Sequence, residues 1–187
     1  MNVIVEISAR HLHLSQEHLD ILYGAGYKLT PKKDLSQPGQ FACEEKVTVV
    51  GPKGQMKASI LGPERNACQV ELSATDARTI GVVAPVRESG DITGSAGCKL
   101  VGPAGEIELT EGVIIAKRHI HMTPADAEAF NVTNGQIVKG RIRSARTTIF
   151  DDVVVRVSPN YALAMHIDTD ECNAAAAFGT VYGELVP

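Results

Sequence analysis

Six histidines stand in this 187-residue chain, and four of them form two His-x-His pairs, His11/His13 and His119/His121. Random placement of six histidines would give about 0.2 such pairs, so two is an excess. In extended backbone, residues i and i+2 point to the same face, so each pair offers two imidazoles to one metal ion from a stiff strand. A single pair reads equally well as hydrogen-bonded surface residues. These two, however, share a context. Ile7-Ser-Ala-Arg-His11-Leu-His13-Leu-Ser15 returns as Ile115-Ala-Lys-Arg-His119-Ile-His121-Met-Thr123 at a constant offset of 108 residues. Repetition of both histidines in one frame favours metal ligation, because a repeated fold unit alone would not need them twice.

Two imidazoles leave a metal shell incomplete, so further donors are required. His166 sits where the apolar run Tyr161-Ala-Leu-Ala-Met165 meets a capped helix start, a junction where sites gather; a satisfied core histidine is the competing reading. The segment from Leu61 to Ser73 is the best remaining source. Glu71 lies between Val70 and Leu72, so on a strand its carboxylate points away from them, and Arg65 follows the Gly62-Pro63 break. The plain alternatives are a solvent-facing strand residue and an exposed turn charge. His18, on the first helical segment without a near partner, is read as a non-ligand.

The elements that must hold these residues are mostly strands. Val and Ile total 33 residues against 12 Leu, and branched side chains favour pleated, half-buried backbone. Expected strands are 3–8, 46–50, 55–61, 69–72, 99–101, 106–109, 113–116, 137–142, 147–157 and 181–185. Gly51-Pro-Lys-Gly54 and Gly102-Pro-Ala-Gly105 supply tight turns between them. Many short strands with regular turns predict a barrel or sandwich. Helices are few. Ser15 caps one, Thr123-Pro124 opens a second running to Phe130, and Asp168-x-x-Glu171 forms a capping box for a run that Gly179 stops.

Composition bounds the function. A net charge of −4, no Trp and 4% aromatic residues leave neither a basic field nor stacking surfaces, which argues against a nucleic-acid partner. No apolar run approaches the 18 residues of a membrane span, and the N-terminus lacks a signal-peptide pattern, so no membrane partner and a cytoplasmic location are expected. Cys43, Cys68, Cys98 and Cys172 include no CxxC pair and are expected to be reduced.

Five motifs, in order and across essentially the whole chain, are similar to one family. Ser8-Ala-Arg-His11-x-His13-Leu-Ser15, Leu61-Gly-Pro-x-Arg65, Gln69-Val-Glu71-Leu-Ser73, Arg118-His119-x-His121-Met-Thr-Pro124, and Met165 to Glu171 followed by Asn173-Ala resemble the PduL-type phosphotransacylases, or phosphate propanoyltransferases. The resemblance implies a mainly β fold: two small β-barrels capped by short α-helices, with zinc sites at the barrel interface. It implies interconversion of a short-chain acyl-CoA plus phosphate with acyl phosphate plus coenzyme A. Two zinc ions per chain are implied. His11, His13 and Glu71 would hold one, with the CoA sulfur as fourth ligand, and His119, His121 and His166 the other. Arg65 would hold phosphate, and Ser8, Lys33, Leu61 and Asn173 would line the CoA path. Residues 1–9 with 117–187 would form one lobe and 10–116 the other, so each His-x-His falls where the chain changes barrel. A homo-oligomer, specifically a dimer, is the expected assembly. Cys68 and Cys172 depart from the family pattern near Glu71 and Asn173. Family members that enter microcompartments carry an N-terminal extension before the first strand; this chain starts on that strand, which favours a cytosolic enzyme acting on acetyl groups.

The residues suit that chemistry independently of the name. A zinc-bound thiol is deprotonated, whereas a free thiol of pKa about 8.5 is mostly protonated at neutral pH. No nucleophilic side chain is then needed, and direct transfer in a ternary complex is expected. Two other readings remain at this point: a zinc hydrolase that activates water, and a non-enzymatic metal-stapled scaffold.

Overall fold

The computed structural model describes residues 2–186. In chain order its strands are β1 (Val3–Ser8), β2 (His11–His13), β3 (Pro31–Asp34), β4 (Phe41–Gly51), β5 (Gly54–Gly62), β6 (Gln69–Glu71) and β7 (Val86–Arg87). There follow β8 (Ala96–Val101), β9 (Glu106–Ala116), β10 (His119–Met122), β11 (Ile137–Arg143), β12 (Thr148–Val157), β13 (Ala164–Asp168) and β14 (Val181–Val186). Four short helices, α1 (Gln16–Tyr23), α2 (Ala74–Ile80), α3 (Pro124–Phe130) and α4 (Thr169–Ala175), complete the described elements.

The chain divides into two compact units, one of Met1–Ala9, Ser36–Pro38 and Lys117–Pro187, the other of Arg10–Leu35 and Gly39–Ala116. Ser36–Pro38 groups with the first unit, where the buried Gln37 donates to Ala162 O at 2.9 Å and accepts from Ala162 N at 3.2 Å.

Each unit is built on a closed six-stranded barrel. In the first unit the order is β1-β13-β10-β12-β11-β14. In the second, pairings run β9-β6-β2-β5-β4-β8 and return to β9, with β3 added on β4 and β7 on β9. The two orders correspond strand for strand and sense for sense. β1 and β9 run parallel to β13 and β6, and these run antiparallel to β10 and β2. β10 and β2 in turn run parallel to β12 and β5. The remaining pairs, β12 or β5 onward, are antiparallel in both units.

Alternation fills each barrel. On β4, Cys43, Glu45, Val47 and Val49 are buried while the residues between them are more exposed. Leu12, Ile60, Val70, Leu100 and Val113 occupy the core of the second unit; Ile120, Met122, Ile142, Val155 and Met165 occupy that of the first. The expected strands 106–109 and 113–116 are one continuous strand, β9. The interruption is a register shift, with Gly112 at φ +129° donating its N–H to Ser95 Oγ at 2.8 Å.

All three expected helices form with side-chain caps at Ser15, Thr123 and Asp168, and the last two have reciprocal capping boxes. α4 ends sooner than expected, because Ala176 adopts left-handed backbone three residues before Gly179. α2 was not expected, although its Ser73 cap accepting from Asp76 N is the same type of signal. All four cysteines are free and buried. Among the described residues no helix is long and apolar enough to cross a membrane.

Candidate functional site

In the second unit, β2 is three residues long and buried throughout, with Leu12 turned into the core and His11 and His13 sharing the opposite face. Their ring centroids lie 5.2 Å apart. β6 runs antiparallel alongside with His11 opposite Glu71, so strand register delivers a carboxylate to the histidine pair. One donor atom from each of His11, His13 and Glu71 lies within 4.8 Å of the others. His11 Nε2 is 3.5 Å from Glu71 Oε2.

The main chain orients His13. Its Nδ1 is 3.1 Å from Leu61 O, and a carbonyl only accepts, so Nδ1 carries the proton and Nε2 keeps its lone pair. Burial, followed by the charges of His11 and Arg65, lowers the His13 pKa to about 3. The ring is therefore neutral at ordinary pH. For Glu71, burial alone would raise the carboxyl pKa; the His11 ring and Ser89 hydroxyl outweigh it and hold the group below the usual range. Arg65 is half-buried, is electrostatically coupled to His13, and donates its backbone N–H to Leu14 O at 2.9 Å.

The first unit repeats the plan with three imidazoles. β10 carries His119 and His121, β13 runs antiparallel to it, and His119 stands opposite His166. Ring centroids are 4.6 Å apart for His119 and His121, 5.0 Å for His119 and His166, and 4.9 Å for His121 and His166. The three donor atoms again lie within 4.8 Å of one another. His119 Nδ1 donates to Lys117 O at 2.8 Å, which places the ring's lone pair on Nε2. Glu6 Oε2 lies 3.7 Å from His166 Nδ1, and the Tyr161 ring packs 4.2 Å from His121. Burial first, then His119, His166 and Arg156, lower the His121 pKa to about 2.

These residues fit a zinc ion. His121 Nδ1 is buried and makes no hydrogen bond, a loss of about 1 to 3 kcal/mol for an unsatisfied polar atom that a metal ion would remove. Imidazole and carboxylate are zinc donors, and each cluster offers three donor atoms, the number of protein ligands in an open, catalytic type of zinc site.

The correspondence reaches beyond the histidines. Glu71-Leu-Ser73-x-x-Asp76 and His166-Ile-Asp168-x-x-Glu171 each run third donor, apolar residue, helix cap and acidic residue in the first helical turn. In each unit that acidic residue pairs with the arginine before the first histidine: Arg10 with Asp76 at 3.0 Å, Arg118 with Glu171 at 2.7 Å. A second comparison at an offset of 95 residues would have found this in the sequence.

Of the remaining candidates, Leu61 meets the site through its carbonyl. Ser8 ends β1 opposite Asp168 in the first unit, and Asn173 is exposed on α4. Lys33 is exposed on β3. His18 does have a near partner, contrary to expectation: its Nδ1 lies 2.7 Å from Cys68 Sγ, because α1 packs its first turn over the segment leading into β6. Cys68 also accepts from Ser15 N at 3.3 Å and belongs to neither donor cluster. Cys172 donates to Ala177 O at 3.2 Å and likewise stands outside both. The carbonyls of Leu61 and Lys117, and the Tyr161 ring, carry no sequence signal of their own.

Comparison with known proteins gives a consistent result. A family profile described as phosphate propanoyltransferase matches residues 4–178. The chain is 54% identical over 179 residues to a phosphate propanoyltransferase of Clostridioides difficile, covering 95% of this chain and 86% of that protein. It is 56% identical over 171 residues to one of Enterococcus faecalis, covering 91% and 81%. For one of Priestia megaterium the identity is 57% over 173 residues, covering 92% and 80%.

Proposed function

The chain belongs to the phosphate propanoyltransferase family, and from that premise we propose that it interconverts a short-chain acyl-CoA plus phosphate with acyl phosphate plus free CoA, the acyl group being acetyl or propanoyl. The observation that carries the finer reading is the pair of three-donor clusters, each delivered by one His-x-His strand and its antiparallel neighbour. His11, His13 and Glu71 would hold one zinc ion, and His119, His121 and His166 the other. Zinc held in this way supplies Lewis acidity, which keeps a thiol deprotonated near neutral pH and polarises carbonyl and phosphoryl oxygens.

The chain's own residues do the rest. Burial keeps His13 and His121 neutral, so their lone pairs are available without competition from protons at ordinary pH. Arg65, coupled to His13, receives phosphate through the two-pronged donor geometry of its guanidinium. Ser8, Lys33, Leu61 and Asn173 make up the CoA path in this proposal. Transfer is direct: the CoA sulfur bonds to the acyl carbon as the acyl C–O bond to phosphate breaks, and phosphate departs with the bonding electrons. No side chain is acylated.

Thiol release from acetyl-CoA and from propanoyl-CoA tests the reading, with phosphate present or absent and with a chelator followed by added zinc. Release is expected to require phosphate, to stop on chelation and to return with zinc. Release without phosphate would identify a thioester hydrolase instead, and activity untouched by complete metal removal would overturn the zinc assignment.

A further inference from the structure

Among the six candidate donors only Glu71 is a carboxylate. An imidazole presents one lone pair once its other nitrogen is protonated, whereas a carboxylate offers two equivalent oxygens on a rotating bond. Around Glu71 the two oxygens are made unequal. Oε2 faces His11 Nε2 at 3.5 Å. Oε1 accepts from Gln69 Nε2 at 2.6 Å and from Ser89 Oγ at 2.8 Å.

The donors are themselves fixed. Gln69 is 3% exposed and lies two residues before Glu71 on β6, so both side chains share one face. Its Oε1 accepts from Gly90 N at 2.7 Å, which turns the amide NH2 toward the carboxylate. That NH2 also donates to Ser89 Oγ at 2.8 Å. Every proton in the group then has one destination: the two amide hydrogens go to Glu71 and Ser89, and the hydroxyl hydrogen goes to Glu71. In the first unit the position equivalent to Gln69 is Ala164, and the third donor there is an imidazole.

We propose that Gln69 and Ser89 are positioning residues that hold Glu71 by Oε1, so that Oε2 alone is presented to a metal ion shared with His11 and His13. This rests on the zinc reading above. A single-oxygen donor occupies one position of a tetrahedral shell where a two-oxygen carboxylate would occupy two.

Zinc titration of metal-free protein against a chromophoric chelator tests the proposal without reference to turnover. Wild type is expected to bind two equivalents. In Ser89→Ala and in Gln69→Leu, one equivalent weakens about 10- to 100-fold, the range for losing a partner of a metal ligand, while the other keeps its affinity. Ser89→Thr, which retains the hydroxyl, restores wild-type binding. In Ser89→Ala combined with His119→Ala, the equivalent that remains is the weakened one. Ser89 lies in a turn after β7, so Ser89→Ala decides the matter even if Gln69→Leu does not fold. Unchanged affinity at both equivalents, or an equal loss at both, overturns the positioning role while the zinc reading stands. Wild-type protein that binds no zinc overturns both.

Discussion

At His121, burial and the neighbouring His119 and His166 rings act in one direction, and the result is a neutral ring with a buried nitrogen that makes no hydrogen bond. Removing that ring in His121→Ala is expected to lower turnover by more than about 100-fold, beyond what loss of an outer partner does, and to remove one zinc equivalent with the circular dichroism unchanged. Undiminished turnover in a metal-quantified variant would sink the assignment. Arg65→Lys keeps the charge and loses the planar fork. With charged hydrogen bonds contributing about 1.5 to 3 kcal/mol, KM for phosphate should rise about 10- to 150-fold while KM for CoA stays within a few-fold. An unchanged phosphate dependence would remove Arg65 from the site. The histidine pairs are legible because both members sit on one strand. Glu71 and His166 are harder to read, since each reaches its cluster through register with a different strand. The carbonyls that orient His13 and His119 are invisible in sequence, because any residue at Leu61 or Lys117 has one.

The elements differ in how plainly the sequence writes them. Long strands such as β4, β5 and β12 carry enough alternation or branched residues to be read, although β4 starts five residues earlier than expected. β2, β10 and β13 are three to five residues long and hold through neighbours on both sides of a closed barrel, which leaves too short a pattern for periodicity. β3 has all four residues exposed and shows no alternation at all. β4 also contains the buried Glu45, beside a register shift in its pairing with β5. Burial pushes its carboxyl pKa up, but Thr30 N–H at 3.0 and 3.1 Å and Tyr27 O–H at 2.9 Å outweigh it, so the folded value lies below the ordinary one. The unfolded state then binds the proton more tightly, and this group stabilises the fold above a pH of about 4.3, losing that contribution as pH falls. Urea midpoints measured from pH 6 to pH 3 should therefore fall less steeply in Glu45→Gln than in wild type. Equal slopes would show that Glu45 is not held in its ionised form.

At the scale of the whole molecule, the echo of nine residues that the sequence displays is the visible part of a duplication of six strands. Strand order and sense survive where side-chain identity has drifted, so the His-x-His segments and the donor-cap segments 71–76 and 166–171 are what remain recognisable. The second unit contains all six of its barrel strands between His11 and Ala116, whereas the first borrows β1 from the far end of the chain. A fragment of residues 10–116 is expected to fold alone and take up one zinc equivalent. Residues 117–187 should do so only when a peptide of residues 1–9 is supplied, as followed by circular dichroism and zinc titration. Folding of 117–187 without the peptide would contradict the need for β1. The same arrangement sets an order of events on the ribosome, where domains assemble as their segments emerge. Val5 pairs with Met165, so β1 must stay unpaired while the chain between them, about 160 positions, is synthesised. The second barrel can close well before that wait ends. Until β13 and β14 emerge, an exposed Val-Ile-Val-Glu-Ile edge is open to unwanted pairing, and this makes the first strand the segment most in need of protection during synthesis.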